Sequence, residues 1–542
     1  MVETKKINPI VRSRDLAISI KEQRVACDGL VKQLHGLDQI FLGGILKGNM
    51  ILVEGAAGVG KTLLGVEFIY RGITEHDEPG IIVVFETSPR KLIRDATGFG
   101  WNLDELQRQN KLKIIFTSPK VLDQELRSPD SLLLETAAEI GAQRIFIDGI
   151  SLLREVVSGD DATGAASYRE LLQQLIEGLN RENLTAMLSH EVIAHQEQSA
   201  ALEVAEFLAD TVIILKRERR HRSVHRSLEI MKSRGQDYEP GKHTLRITAG
   251  KGLEVFRRVQ LRARGVPVQP TSDKRSPIGC APLDALIGGG IYDGSTTMVV
   301  GISGAGKTVL GVQLLLEGAL KQGKRGMLVS LDEHPAQILR NAATLGMDLK
   351  EQIDTGMIQF LYDSPQELEI DAHFDRIIRT IEEYKIERLL IDGMTSYSSA
   401  LGDQGLYRDF IHSLVAYTKN KLMTTFFNYE NPELFGVSNY MPDFAISSIV
   451  DNLILMNFVE LGSSLRRAIT VAKARGSEHE FVTREYTIGR GGINLQPIEE
   501  GKTLPVLPFQ SYYGLLSRAP TRLSPDLPPG GEGGGLAKGA RG

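Results

Sequence analysis

Short apolar runs alternate with longer segments of helical periodicity, and this alternation runs through two successive halves of the chain. The runs predicted as strands are Met50–Glu54, Ile81–Phe85 and Arg144–Ile147 in the first half, and Thr297–Val300, Gly326–Leu331 and Arg388–Ile391 in the second. Helices are predicted from about Lys61 and over Leu132–Ile140. Strands that are apolar on both faces must be covered by helices on both faces of the sheet. The pattern therefore indicates an α/β fold with a mostly parallel sheet in each half.

The two halves repeat one sequence pattern at domain length. The segment "GLDQIFLGGILKGNMILVEGAAGVGKTLLGVEFIY" begins at Gly36, and "PLDALIGGGIYDGSTTMVVGISGAGKTVLGVQLLL" begins at Pro282. Lys61 and Lys307 are 246 residues apart, and other matched positions follow at nearly the same offset. A length of 542 residues already favours more than one domain. Together these observations indicate a duplicated domain.

Composition shifts predict where the domains begin and end. The stretch "RRVQLRARGVPVQPTSDKRSP" is rich in Pro and charge, and the final residues contain "PPGGEGGGLAKGARG". We predict an N-terminal extension (1–29), a first domain (30–254), a linker (255–277), a second domain (278–516) and a disordered Pro/Gly-rich tail (517–542).

Charge and cysteine content narrow the classes of partner. The net charge of −5 provides no global field that would attract nucleic acid or an anionic membrane. Two cysteines are too few for a disulfide scaffold and favour a reducing, cytoplasmic setting. We find no secretory signal and no apolar run long enough to span a membrane, so no membrane association is expected.

Two glycine-rich loops carry the strongest chemical signal. Each fits GxxxxGK[ST], follows an apolar strand and precedes a helix. Glycines let backbone N–H groups surround a phosphate, the lysine reaches the β- and γ-phosphates, and the threonine hydroxyl binds Mg²⁺. The residues expected to bind ATP here are Gly55, Gly58, Gly60, Lys61, Thr62 and Leu63, and Gly301, Gly304, Gly306, Lys307, Thr308 and Val309.

An aspartate ends a buried strand after each loop, in "RIFID" and in "RLLID". A carboxylate at this edge of a sheet holds Mg²⁺ beside a P-loop, directly or through water. We therefore predict magnesium sites at Thr62 with Asp148 and at Thr308 with Asp392. The fold prediction becomes two tandem RecA-like P-loop NTPase domains. Ser189 and Asn428, at later strand ends, are hypothesised to sense the γ-phosphate.

Acidic residues follow the second strand of each half. Glu86 stands there in the first half, and Asp332 and Glu333 stand there in the second. Such a carboxylate can orient the attacking water or accept a proton from a hydroxyl nucleophile, so these three are the predicted catalytic residues. The first half has Thr87 in place of a second acid, and its hydrolysis is expected to be slower or differently arranged.

In these motifs, and in the segments quoted below, the chain resembles the KaiC family of circadian-clock ATPases and autokinases. The resemblance spans roughly Leu30–Asn494. It includes "LDEHPAQILRNA" after the second strand of the second half and "PDFAISSIVDNLILMNFVELGSSLRRAITVAKARGSEHE" from Pro442. The resemblance implies an ATPase with serine/threonine autokinase activity that acts as a clock or signalling oligomer.

By position, Ser447 and Ser448 resemble the adjacent hydroxyl residues that the family phosphorylates on itself. Two basic pairs, Lys232 with Arg234 and Lys473 with Arg475, match family residues that reach the ATP of a neighbouring subunit. P-loop domains often require such a cation in trans. The resemblance also implies a homo-hexamer, and KaiB-like, response-regulator or histidine-kinase signalling proteins as partners.

The sequence departs from the family at three places. Ser448 stands where the best-known clock proteins carry Thr, which retains a nucleophile. Thr87 replaces an acid. The segment "LLSRAPTR" resembles the family's regulatory C-terminal loop, but the tail diverges beyond Arg522, which argues against binding of the activator KaiA.

Two other functions fit part of the pattern. A RecA-type DNA-dependent ATPase of recombination or repair shares the fold, but it requires a basic DNA-binding face. The densest basic run, Lys216–Arg226, lacks interleaved aromatics and is predicted to be a solvated hairpin or a subunit contact. A nucleotide-gated scaffold that binds ATP with negligible turnover is the third alternative, which Thr87 leaves open for the first half only.

Overall fold

The computed structural model describes residues 30–31, 36–127, 131–156, 161–192, 200–220, 223–259, 270–431, 449–461, 464–480 and 482–495. These residues pack into two compact units. One contains the described residues up to 259 together with Asp363–Glu383 and Asp403–Leu414, and the other contains the remainder. Each unit is built around one nine-stranded sheet.

The strands of the first half are β1 (Leu30–Val31), β2 (Ile45–Leu46), β3 (Met50–Gly55), β4 (Gly80–Val84), β5 (Leu112–Phe116), β6 (Arg144–Asp148), β7 (Thr185–Glu191), β8 (Thr211–Arg220), β9 (Ser223–Ser233), β10 (Lys242–Thr248) and β11 (Gly252–Phe256). Its helices are α1 (Leu37–Ile40), α2 (Lys61–His76), α3 (Pro89–Thr97), α4 (Leu103–Arg108), α5 (Pro119–Arg127), α6 (Leu132–Ile140), α7 (Asp161–Arg181) and α8 (Ala200–Leu208), with a 3₁₀ helix at Ile150–Val156.

The first large sheet has the order β11-β10-β9-β8-β3-β7-β6-β4-β5. Strands β8, β3, β7, β6, β4 and β5 are parallel, whereas β9, β10 and β11 extend the sheet in antiparallel fashion. The P-loop strand β3 lies inside the parallel part and every residue in it is buried. The buried strand therefore fixes the start of the P-loop at the carboxyl edge of the sheet.

In the second half the strands are β12 (Arg275–Ser276), β13 (Ile291–Tyr292), β14 (Thr296–Gly301), β15 (Gly326–Ser330), β16 (Ile358–Tyr362), β17 (Arg388–Asp392), β18 (Thr424–Glu430), β19 (Asn452–Leu461), β20 (Ser464–Ala474), β21 (Thr483–Gly489) and β22 (Gly492–Leu495). The helices are α9 (Ala281–Leu286), α10 (Lys307–Glu317), α11 (Pro335–Thr344), α12 (Leu349–Asp354), α13 (Ile370–Tyr384), α14 (Met394–Leu401) and α15 (Gln404–Asn420), with a π-helical turn at Gly318–Gln322 and a 3₁₀ turn at Pro365–Glu367.

The second large sheet, β16-β15-β17-β18-β14-β19-β20-β21-β22, has the topology of the first. Individual contacts repeat as well. Met50 N donates to Asp210 Oδ2 over 3.0 Å, and the matching Thr296 N donates to Asp451 Oδ2 over 2.9 Å. The predicted duplication and the predicted α/β class with mostly parallel sheets are therefore both confirmed.

Apolar clusters cover the first sheet on its two faces. Helix α2 contributes Leu64, Phe68 and Ile69 to one cluster, and helix α7 contributes Leu171 and Leu175 to the other. Both faces are covered, which explains why the central strands are apolar at successive positions. All six predicted strands are found, each with its ends within one residue of the prediction.

The basic run forms part of a β-hairpin. Strands β8 and β9 pair antiparallel over their whole length, and Lys216 and Arg217 are exposed. The predicted hairpin is confirmed. Among the described residues, no helix is both long and apolar enough to cross a bilayer.

Candidate nucleotide-binding and phosphotransfer sites

The first P-loop joins β3 to α2. Gly60 has φ 117°, a left-handed conformation that favours glycine and that turns the chain into the helix at Lys61. Lys61 Nζ donates to the carbonyl oxygens of Gly55 and Ala56 at 2.7 and 2.8 Å. Burial lowers the pKa of Lys61, while the carboxylates of Glu191 and Asp148 act in the opposite direction. The ammonium group is thus held within the loop, where a phosphate would lie.

The second P-loop has the same geometry between β14 and α10. Gly306 has φ 99°, and a Cβ at this position would lie 2.5 Å from Ile488 Cδ1. Lys307 Nζ donates to Gly301 O and Ile302 O, both at 2.9 Å. Burial lowers the pKa of Lys307, opposed chiefly by Glu430 and Asp392.

Each P-loop threonine contacts the aspartate predicted to share its magnesium ion. Thr62 Oγ1 donates to Asp148 Oδ2 at 2.8 Å, and Thr308 Oγ1 donates to Asp392 Oδ2 at 2.9 Å. A hydroxyl and a carboxylate at hydrogen-bond distance provide two oxygen ligands of the kind that Mg²⁺ prefers. The structure therefore brings together both predicted magnesium pairs.

The other oxygen of each aspartate has a partner on the neighbouring strand. Ser189 Oγ donates to Asp148 Oδ1 at 2.6 Å, and Asn428 Nδ2 donates to Asp392 Oδ1 at 2.9 Å. Burial raises the pKa of Asp392, and the hydrogen bonds from Asn428 and Thr308 oppose that rise. Ser189 and Asn428, hypothesised as phosphate sensors, thus orient the candidate magnesium ligands.

The second-half acids open onto a cavity of about 590 Å³. It is lined by residues of the P-loop, the acidic segment and the strand ends, including Lys307, Thr308, Asp332, Glu333, Asp392 and Asn428. Burial raises the pKa of Glu333, and the nearby carboxylates of Asp392 and Asp332 raise it further. A carboxylate with a raised pKa beside a phosphate-binding loop is a stronger base than an ordinary carboxylate.

The acidic segment of the second half is fixed by short contacts. Ser330 Oγ donates to Glu333 O at 3.0 Å, and Glu333 N donates to Ser330 Oγ at 3.1 Å. The carboxylate of Asp332 accepts a hydrogen bond from Ser396 Oγ. In the first half, Glu86 is exposed and Thr87 is half-buried at the matching positions. Sequence reasoning missed Ser396, which is separated from the acids by 64 residues.

Both basic pairs lie at the ends of antiparallel strands. Lys232 Nζ donates to Glu206 O and Phe207 O at 2.9 and 3.2 Å, and Arg234 Nη2 donates to Phe207 O at 2.9 Å. These contacts tie the end of β9 to the end of α8.

Lys473 and Arg475 take the corresponding places in the second half. Lys473 Nζ donates to Val450 O at 2.8 Å, and Arg475 Nη1 lies 3.9 Å from Asp451 Oδ1. The predicted phosphorylation sites Ser447 and Ser448 lie outside the described residues.

Comparison with known proteins agrees with this architecture. The family model described as the KaiC ATPase matches residues 32–260 and 276–500. The circadian clock oscillator protein KaiC of Picosynechococcus sp. is 32% identical over 499 residues, which cover 91% of this chain and 92% of that protein. KaiC of Synechococcus elongatus is 31% identical over 499 residues, with the same coverage. The chain is thus similar to these proteins through both of its domains.

Proposed function

The chain belongs to the KaiC ATPase family, and from this we propose that it hydrolyses Mg-ATP and that its second domain also phosphorylates its own serines. The observation that carries the proposal is the cavity of the second domain, in which a P-loop lysine and two acids meet. A lysine of this kind and a candidate base are the groups that phosphoryl transfer to a hydroxyl requires.

The residues of each loop fit a magnesium nucleotide. The loop glycines would surround the phosphates, Lys61 and Lys307 would reach the β- and γ-oxygens, and a threonine–aspartate pair would hold the ion. When bound, Mg²⁺ supplies charge neutralisation at the phosphates. The support for this assignment is the Thr–Asp hydrogen bond that occurs in both domains.

We propose that Glu333 is the base and that Asp332 and Asp392 tune it. The carboxylate of Glu333 accepts the proton of the serine hydroxyl as the oxygen–phosphorus bond forms and ADP leaves. Its raised pKa favours this proton transfer, since a stronger base accepts a proton more readily. Ser447 and Ser448 are the proposed acceptors, on the basis of their position in the family pattern.

The first domain is proposed to be an ATPase without kinase activity. Glu86 is its candidate catalytic acid, and Thr87 stands where the second domain has the candidate base. Glu206 and Phe207 align with the proposed acceptors Ser447 and Ser448, so this domain offers no hydroxyl at those positions.

Self-association into a hexameric ring is proposed from the two basic pairs. Arg234 and Arg475 have side chains that are 52% and 53% exposed, respectively, so both can extend towards a neighbouring subunit. A cation supplied in trans would stabilise the charge of the transition state. Interaction with KaiB-like or two-component signalling proteins in the cytoplasm is part of the same proposal.

The test uses the full chain incubated with Mg-ATP, followed by phosphopeptide mapping and measurement of released phosphate. We expect phosphate on Ser447 or Ser448 in wild type and its loss from those peptides in the Ser447→Ala/Ser448→Ala double variant. Turnover without phosphate at these serines would overturn the kinase proposal. If single-stranded DNA also stimulated that turnover severalfold, the RecA-type alternative would be favoured.

A further inference from the structure

A serine of the second domain lies beside the candidate catalytic acids. Ser396 Oγ donates a hydrogen bond to Asp332 Oδ1. Ser396 belongs to helix α14, which begins just after Asp392 and Gly393. A Cβ at Gly393 would lie 2.5 Å from Asp332 Oδ2, so the carboxylate of Asp332 packs against the start of this helix.

Ser396 faces the same cavity as the phosphate-binding residues of its own domain. Lys307, Thr308 and Asp392 line this cavity together with Ser396 and Asp332. The hydroxyl is half-buried and has a carboxylate at hydrogen-bond distance. A nucleophile with an adjacent proton acceptor is the arrangement that activates a hydroxyl for group transfer.

Neighbouring hydroxyls of α14 are engaged with the backbone instead. Thr395 Oγ1 donates to Glu430 O at 3.1 Å and accepts from Glu430 N at 3.1 Å. Ser399 Oγ donates to Thr395 O at 3.1 Å. Ser396 therefore differs from both in having an acid as its hydrogen-bond partner.

The first domain has a different residue at the matching position. Leu152 follows Asp148 by four residues, as Ser396 follows Asp392. A Cβ at Gly149 would lie 3.4 Å from Leu152 Cδ1, so an apolar side chain takes the place that the Asp332 carboxylate has in the second domain. The acid–hydroxyl pair is thus a feature of the domain with two candidate acids.

We propose that Ser396 is a phosphate acceptor for the ATP bound in its own domain. This inference rests on the proposed function, because it requires a second domain that transfers phosphate to a hydroxyl. Ser396 Oγ forms the new bond to the γ-phosphorus, the bond from that phosphorus to the ADP oxygen breaks, and the hydroxyl proton passes to Asp332. The acceptor differs from Ser447 and Ser448 in lying on the helix that follows the candidate magnesium ligand.

The modification would change the electrostatics of the cavity. A phosphoserine carries about −1.5 to −2 charges at neutral pH. At position 396 it would repel Asp332 and would lie in the cavity that Glu333 also lines. Phosphorylation of Ser396 is therefore expected to slow further transfer by the same domain.

The experiment maps phosphopeptides of the full chain after incubation with Mg-ATP. We expect a phosphopeptide that contains Ser396, its loss in Ser396→Ala and its persistence in Ser399→Ala, the matched control on the same helix. Asp332→Asn should lower the initial rate of Ser396 phosphorylation by about a hundredfold, the size of a general-base effect.

A mixing experiment tests whether the transfer is intramolecular. Isotope-labelled Lys307→Ala chain is incubated with unlabelled wild type and Mg-ATP. Phosphate should appear on Ser396 of the wild-type chain only. Phosphate on Ser396 of the labelled chain would overturn transfer within one domain.

Two outcomes separate this inference from the proposed function. Phosphate on Ser447 or Ser448 with none on Ser396 would overturn the inference and leave the proposed function intact. ATP hydrolysis with no phosphate on any serine would overturn both.

Discussion

The buried carboxyl group of Glu54 lies next to the first P-loop, at the end of β3, and pairs with the half-buried Glu206 of α8. Glu54 is only 2% exposed, and its Oε1 has no hydrogen-bond partner among the residues that the structure describes. Burial, together with the charge and hydrogen bond of Glu206, raises the pKa of Glu54 to about 8. Since the second half has Val300 where the first has Glu54, this pair belongs to the first domain alone.

The carboxyl pair predicts how stability depends on pH. The folded state keeps a proton on Glu54 from its ordinary pKa of 4.5 up to about 8, whereas the unfolded chain loses it near 4.5. The contribution of Glu54 to the stability of the first domain should therefore fall as pH rises through this window, by at most about 1.4 kcal/mol per pH unit. His190, paired in register with Glu54, has its pKa lowered from 6.5 to about 4, chiefly by burial, so it adds stability as pH rises to about 6.5 and opposes Glu54 over that range. The net fall in stability is therefore expected between about pH 6.5 and pH 8.

Glu54→Gln should remove this dependence, because the amide has no proton to lose. Melting temperatures are measured between pH 5 and pH 8.5. The melting temperature of the variant should increase relative to that of the wild type as pH rises. Exposed Glu139→Gln is the control and should follow the wild-type curve. Parallel curves for wild type and Glu54→Gln would contradict the account.

The hydrogen bond between Asn428 and Asp392 predicts how a substitution changes the affinity for magnesium. It is the hydrogen-bond donor to Asp392 Oδ1, and Asp392 is buried. Asn428→Ala would leave that oxygen without its donor, and loss of such a partner lowers metal affinity by about 10- to 100-fold. Phosphorylation of the chain should then require a correspondingly higher Mg²⁺ concentration.

Asn428→Ser is the matched control, since Ser189 performs this role in the first domain. It should retain most of the magnesium affinity. An unchanged Mg²⁺ requirement in Asn428→Ala would show that this contact does not position the metal ligand.

Glycines allow the P-loop helices to approach their sheets. A Cβ at Gly65 of α2 would lie 2.1 Å from the Phe146 ring, and one at Gly311 of α10 would lie 2.5 Å from Leu390 Cδ1. Both helices are therefore fixed against a central strand of their own sheet, which sets the direction in which each P-loop points.

Gly65→Ala should destabilise the first domain by about 1–3 kcal/mol, because the added methyl group overpacks the contact with Phe146. Gly178→Ala on α7 is the control: its Cβ would lie 3.5 Å from Leu134, so helix propensity should stabilise it by up to about 1 kcal/mol. Urea unfolding monitored by circular dichroism measures both. Gly65→Ala at or above wild-type stability would contradict close packing at this position.

The sequence predicted the central strands because they are apolar on both faces, as Ile145–Ile147 of β6 illustrates. It did not reveal that Arg144, at the start of that strand, is only 1% exposed. Arg144 is accommodated because Nη1 donates to Phe68 O and Nε donates to Glu78, contacts that depend on how α2 crosses the sheet. The antiparallel strands β10 and β11 were also not predicted, since their mixed, partly exposed residues lack a continuous apolar run.

The sequence predicted those contacts of the candidate site that follow from the spacing of its motifs. The Thr62–Asp148 and Thr308–Asp392 contacts follow from a P-loop and a strand end in one parallel sheet. The Ser396–Asp332 contact was not predictable, because it depends on how the segment after β15 meets the first turn of α14 at the carboxyl edge of the sheet.

Across the chain, one topology is present twice, and the two copies differ at the acids. The parallel strands, P-loops and threonine–aspartate pairs repeat, whereas the second domain has Asp332 and Glu333 at the positions of Glu86 and Thr87. The two copies therefore share the P-loop and the strand-end aspartate and differ in the acidic segment beside them. We expect both domains to turn over ATP and only the second to transfer phosphate to the chain.

The most direct measurement compares phosphate retained on the chain with phosphate released from labelled Mg-ATP, in wild type, Glu333→Gln and Glu86→Gln. Glu333→Gln should lower the rate of phosphate retention on Ser447 and Ser448 by about a hundredfold, since it removes the base proposed for those serines. Glu86→Gln should lower the rate at which phosphate is released into solution, while phosphate is still retained on the chain. Retention on Ser447 and Ser448 at the wild-type rate in Glu333→Gln, or no retention by a wild-type chain that releases phosphate, would contradict the proposal that the second domain alone transfers phosphate to the chain.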